Sequence, residues 1–108
     1  MTLCSLVYTL ILVQFKISKK FQWDAGNRGK NFTKHQVTDA ECEEVFFDSD
    51  KKLLIDTQHS ASEPRYILIG QTYISDKVLF VVFIIRHDSV RVISARPLNK
   101  KERKLYDQ

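Results

Sequence analysis

Two cysteines, three glycines, two prolines and one tryptophan in 108 residues leave little room for several familiar chemistries. Cys4 and Cys42 are too few and too scattered for a disulfide framework, and no Cys-x-x-Cys or paired-histidine spacing suits zinc. Thiols kept free or buried in a reducing cytosol are the expectation. There is no Gly-rich phosphate loop, no Gly-x-Ser-x-Gly elbow and no carboxylate cluster with metal spacing, so the chain is read as holding neither metal nor cofactor. Long apolar runs are missing as well. Leu3 to Val13, broken only by Ser5 and Thr9, is too short to span a bilayer. No basic residue precedes it and no small-residue cleavage site follows it, which argues against a signal peptide.

What is present fits one domain with one core over residues 21–108, after an apolar extension over residues 1–20. The extension reads as an added strand or helix, or as a product of a translation start placed upstream of the true one. Membrane attachment through residues 3–13 is the weakest reading. The net charge of +4 is unevenly placed: from Phe21 onward fourteen basic residues face thirteen acidic ones. Asp39 to Asp50 carries six acids and no base, whereas Arg86 to Lys104 carries seven bases and two acids. Such segregation suits an anionic ligand on one patch and a charged protein partner on another.

The order of elements predicts an α+β fold. Phe21-Gln-Trp23 reads as a short strand, Asn27 to His35 as a helix after an Asp24 cap, and Thr38-Asp-Ala-Glu41 as a capping box. The helix it opens, Asp39 to Phe47, is expected to bury Ala40, Val45 and Phe46 and to expose its glutamates. Leu53 to Ile55 is a short strand. Stronger strands follow over Arg65 to Thr72, Val78 to Arg86 and Val90 to Arg96, joined by turns short enough to force antiparallel neighbours. The continuous apolar run Val78 to Ile85 predicts a strand covered on both faces. Asn99-Lys-Lys-Glu102 caps a closing helix. Two N-terminal helices and a C-terminal helix are thus expected on one face of a curled, mainly antiparallel sheet.

Phosphodiester cleavage in RNA requires none of the missing motifs. The 2′-hydroxyl attacks the adjacent phosphorus, so the protein must remove one proton, donate another and stabilise charge on phosphorus, tasks open to His, Glu, Lys, Tyr and Arg. Lys34-His35 closes the first predicted helix; capping is the plainer reading of that pair. His59, Glu63 and Arg65 lie in the loop entering the strong sheet, where an ordinary polar turn is the plainer reading. Trp23 is expected in the core more than against a base, and Tyr106 either donates a proton or anchors the last helix. Arg91, Arg96, Lys100, Lys101, Arg103 and Lys104 fall within fourteen residues with only Glu102 opposing them, and Arg86 lies just upstream.

In order along the chain come Phe21-Gln-Trp-Asp24, Gly26-Asn-Arg-x-Lys-Asn31, Lys34-His35-x-Val37-Thr38, Glu43-Glu-Val-Phe-Phe47, and His59-Ser60 with Glu63 and Arg65. Ile69-Gly-Gln-Thr72, Leu79-Phe-Val-Val-Phe83, Arg91-Val-Ile-Ser-Ala-Arg96 and Lys101-Glu-Arg103 with Tyr106 complete the series. Together they resemble the BrnT family of bacterial toxins over Phe21 to Tyr106. The resemblance implies a RelE-like fold, a cytoplasmic ribonuclease acting without metal, and a BrnA-like antitoxin that alone contacts operator DNA. It carries over Lys34, His35, His59, Glu63, Arg65, Arg96, Arg103 and Tyr106 as candidate site residues, of which His35, His59, Glu63, Arg65, Arg96 and Tyr106 are read as catalytic. Lys34, Arg86, Arg91, Lys100, Lys101, Arg103 and Lys104 are the candidate RNA contacts.

Two positions depart from the family pattern. Gln36 stands where a glycine usually follows Lys-His, which implies a strained left-handed residue or a different helix exit. Ala25 replaces a usual acidic residue. The alternative reading is therefore a degenerate toxin that only binds antitoxin or RNA. Strand order also sets Arg65 and Arg96 toward opposite sheet ends, more than ~20 Å apart at ~3.3 Å per residue. An extended RNA could bridge them, and Arg86 is the expected neighbour of Arg65.

Overall fold

The computed structural model describes residues 10–12, 20–58 and 62–107. Its elements are β1 (Leu10–Leu12), α1 (Lys30–His35), α2 (Asp39–Glu44), β2 (Lys52–Asp56), β3 (Arg65–Gln71), β4 (Val78–Arg86), β5 (Ser89–Pro97) and α3 (Lys100–Asp107). The five strands form one antiparallel sheet in chain order. Part of the apolar extension is thus an added edge strand, with Leu10, Ile11 and Leu12 opposite Asp56, Ile55 and Leu54. No helix among the described residues is long and apolar enough to cross a membrane.

Strand alternation divides the core in two. Leu53, Leu68, Leu79, Val81, Phe83, Val90, Val92 and Ala95 point to one face and are covered by Val37, Cys42, Val45 and Phe46 from α1, α2 and the turns after them. Leu54, Ile67, Ile69, Val78 and Phe80 point to the other face and meet Leu105 of α3, with Leu98 and Tyr106 alongside. The helices therefore lie on both faces, not on one as expected from the order of elements. The apolar run of β4 accounts for this, since every residue from Val78 to Ile84 except Val82 is buried and both its faces need cover.

The first half of the domain departs from the sequence expectation in local detail. Phe21 makes one parallel bridge to Val90 in place of a strand, because the chain turns at Asp24. There the Asp24 carboxylate accepts the Gly26 N–H at 2.8 Å. The helix expected from Asn27 begins only at Lys30, since residues 25–29 form turns and Gly29 sits at φ 69°. The capping box of α2 forms as expected, but the helix gives way to a 3-10 turn over Val45–Phe47. Val45 and Phe46 are buried as expected, but Ala40 is exposed and Glu41 buried, the reverse of the expectation at those two positions. Glu41 is held inside because it accepts hydrogen bonds from the Thr38 N–H, the Ser75 hydroxyl and the Lys77 ammonium. Cys42 is a free, buried thiol, and desolvation followed by nearby Asp39, Glu41 and Glu43 pushes its pKa up to about 12. Cys4 lies outside the described residues.

Candidate nucleic-acid interface

Sheet register brings four arginines to the face that α3 shares. Phe80 pairs with Arg96 and with Ile69, so Arg96 points to the α3 side together with these apolar residues. Ile84 pairs with Arg91, and Arg86 lies two residues further along β4, so both share the parity of Phe80. Arg65 precedes Tyr66, whose partner Phe83 faces the other way, so Arg65 also points to the α3 side. One cross-strand row runs through Lys52, Ile69, Phe80 and Arg96; at the other end the pairs Asp56–Arg65 and Ile84–Arg91 flank the last β3–β4 pair, Tyr66 with Phe83.

Arg65 and Ile69 are four residues apart along β3, about 13 Å, and two strands add about 10 Å sideways, so Arg65 and Arg96 are roughly 16 Å apart. They lie toward opposite ends as expected, but closer than 20 Å. The difference arises because Arg96 pairs two residues short of the last β3–β4 pair, Gln71 with Val78.

Arg86, Arg91 and Arg96 each grip a carboxylate with two hydrogen bonds. Arg86 donates from Nε and Nη2 to Glu63, both at 3.1 Å. That contact, assisted by the charges of Arg86 and Arg65, holds the Glu63 carboxyl below its ordinary pKa, and the same contact with the charge of Glu63 raises the pKa of Arg86. Glu63 therefore pairs with Arg86 and also feels the nearby charge of Arg65. Arg91 donates from Nη1 and Nη2 to Asp24 at 2.8 and 3.0 Å, and with the Gly26 N–H this lowers the Asp24 pKa. Arg96 donates from Nη1 and Nη2 to Glu102 at 2.7 and 2.6 Å, and its guanidinium lies over the Phe80 ring. A guanidinium fork that fits a carboxylate also fits two phosphate oxygens. This face therefore presents phosphate-shaped sites, each filled by an internal anion.

The closing helix is positioned by its own cap. Asn99 Oδ1 accepts the Glu102 N–H at 2.8 Å, while Glu102 Oε1 accepts the Asn99 N–H at 3.1 Å. Lys100, Lys101, Arg103 and Lys104 are exposed around it, and Arg103 stands 3.8 Å from Asp107. Tyr106 donates its hydroxyl to Asp48 at 2.8 Å. Burial and that bond to an anion push its pKa up to about 12, so it is a neutral phenol that anchors α3 to the segment after α2.

The remaining sequence candidates lie elsewhere. Lys34 and His35 are exposed at the end of α1, on the side of the sheet that α1 and α2 cover, and are not brought to the arginine face. His59 lies outside the described residues. Trp23 packs against the α1–α2 core and donates its indole N–H to Glu43 at 2.6 Å, which agrees with the core expectation.

Sequence reasoning missed the roles of Asn27 and Asn31. The β4–β5 register shifts between Val82 and Phe83, which leaves Ile93 unpaired as a bulge. Asn27 donates to the Val92 carbonyl at 3.2 Å, and Asn31 accepts the Ala95 N–H at 2.9 Å. These two buried asparagines stitch the start of α1 onto the strand that carries Arg91 and Arg96. Their spacing of four residues was the available signal, but only the bulge gives it meaning.

The chain matches, over residues 23–102, the family model described as a ribonuclease toxin, BrnT, of type II toxin–antitoxin systems. No curated protein matches it.

Proposed function

The chain belongs to the BrnT family of ribonuclease toxins of type II toxin–antitoxin systems, and on that footing we propose that it is a metal-independent endoribonuclease restrained by a BrnA-like antitoxin. In this reading the protein is cytoplasmic, has a RelE-like fold, and meets operator DNA only through the antitoxin. The observation that carries the proposal is the common sheet face of Arg65, Arg86, Arg91 and Arg96.

We assign bond breaking to the end of the sheet that holds Arg65, Arg86 and Glu63. Glu63 is ionised at neutral pH and stands beside two cations. It accepts the proton of the 2′-hydroxyl as the oxygen attacks phosphorus, and Arg65 stabilises the charge that builds on the phosphate. His59, four residues before Glu63 in the sequence, is assigned the return of a proton to the departing 5′-oxygen. Arg96 and the lysines of α3 grip a neighbouring phosphate, which the separation of about 16 Å allows for an extended strand. His35, on the opposite face, takes no part in this step.

Purified chain, free of antitoxin and held in chelator, is expected to cut single-stranded RNA. Glu63→Gln should cut at least tenfold more slowly while still binding RNA, and Arg96→Ala should lose at least tenfold in cleavage, chiefly through weaker binding. Intact RNA with folded wild-type protein would overturn the assignment. The departure at Gln36 does not favour the degenerate reading, because α1 still ends in the left-handed geometry that glycine usually supplies.

A further inference from the structure

Among the described residues four large hydrophobic side chains are exposed: Phe32 (54 %), Phe47 (62 %), Tyr73 (91 %) and Ile74 (87 %). They come from three separate segments of the chain, Tyr73 and Ile74 being neighbours, and line two adjoining clefts. Phe47 and Tyr73 border one, of about 590 Å³, together with Glu44, Asp48 and Asp76. Phe32 and Ile74 border the other, together with Glu41, Glu44 and Lys77. Glu44 is the wall between them, and its carboxylate fixes the tip of the β3–β4 turn by accepting the Tyr73 N–H at 2.6 Å. Exposed apolar side chains gathered around concavities mark a surface built to be covered.

The electrostatics select what covers it. Glu41, Glu44, Asp48 and Asp76 line these clefts against one cation, Lys77, and Lys77 is already paired with Glu41 at 3.1 Å. Phosphates are repelled here. The clefts also lie beyond the Gln71–Val78 pair, at the strand ends away from Arg65, Arg86 and Arg91 and toward the end that holds Arg96 and α3, whose Tyr106 bonds the lining Asp48. A partner for this surface carries lysine or arginine between apolar anchors.

We propose that these two clefts dock a basic, apolar-anchored segment of the cognate antitoxin, an assignment that rests on the toxin reading above. Tyr73 and Ile74 at the turn tip are the central contacts, and Glu44 is the main charge contact. The antitoxin thus holds the toxin at an acidic surface away from the end of the sheet assigned to bond breaking, where Arg65, Arg86 and Glu63 lie.

The test is calorimetric titration of the full chain with its cognate antitoxin, alongside RNA cleavage by the antitoxin-free chain. The double variant Tyr73→Ser/Ile74→Ser keeps the fold, since both side chains are solvent-exposed. It should bind antitoxin at least thirtyfold more weakly and cut RNA at the wild-type rate. Glu44→Gln should weaken binding several-fold at low salt, with the difference closing at high salt. Antitoxin affinity within threefold of wild type in the double variant would overturn the proposal, as would loss of RNA binding in that variant. If the wild-type chain cuts no RNA yet the double variant still loses antitoxin, the ribonuclease reading fails and the docking surface stands.

Discussion

Glu102 places both carboxylate oxygens on the guanidinium of Arg96, at 2.7 and 2.6 Å, while that guanidinium lies 4.4 Å above the centre of the Phe80 ring. The carboxylate is almost fully buried and also closes the cap of α3, so one side chain joins strand, helix and cation. An RNA phosphate reaching the Arg96 fork must first displace Glu102.

Replacing Glu102 with Gln keeps the cap acceptor but removes the competing charge. Losing a charge-assisted contact to a partly buried arginine should cost about 1–3 kcal/mol of stability. Single-stranded RNA should in turn bind several-fold more tightly, because Arg96 no longer has an internal anion to release. Thermal melts and fluorescence anisotropy read the two effects separately. Weaker RNA binding by a folded Glu102→Gln protein would show that Glu102 orients Arg96 for RNA and does not compete with it.

The elements that positioned these residues were readable where the signal was local. The β4 run from Val78 to Arg86 and the box of Thr38 with Glu41 follow from apolar continuity and from side-chain reach. The cation-bearing face of the sheet also follows from alternation once the register is known. Register itself was not readable, because the bulge at Ile93 slips the pairing by one residue and is held by Asn27 and Asn31 from a distant segment. Placement of α3 on the second face was missed for a similar reason, since a helix of this polarity reveals its packing side only through Leu105 and Tyr106. The pairing of Glu63 with Arg86, twenty-three residues away in sequence, depends on tertiary placement and not on local spacing.

Glu41 predicts the acid limit of stability. Burial alone would raise its pKa, but the Ser75 hydroxyl, the Thr38 N–H and Lys77 pull it down to about 2, against an ordinary value of 4.5. A depressed carboxylate contributes its full stability above the unfolded value and loses it as pH falls through the folded one. The window is therefore pH 4.5 to about 2. With allowance for the solvent access of Lys77, the contribution is about 1–2 kcal/mol. Denaturant midpoints of wild type should fall across this window, and Glu41→Gln should flatten that fall while being less stable at pH 7. An unchanged slope in the variant would mean that another carboxylate governs acid unfolding.

Gln36 ends α1 at φ 58° and ψ 35°, a left-handed conformation that costs an L-residue about 1–2 kcal/mol. The surroundings fix it there: its N–H donates to the Phe32 carbonyl at 2.9 Å, and its own carbonyl accepts from Lys77 Nζ at 3.0 Å. Gln36→Gly relieves the strain without touching either bond, though glycine gives back part of the gain through the entropy of the unfolded chain. The expected net effect is a stabilisation of about 0.5 kcal/mol, read from the urea midpoint at constant slope. RNA cleavage should stay within twofold of wild type, because Gln36 lies in the segment that leads to Val37 on the face away from the arginines. A tenfold rise in cleavage on introducing the glycine would instead mark Gln36 as a lesion in an impaired toxin, and would move the site toward Lys34 and His35.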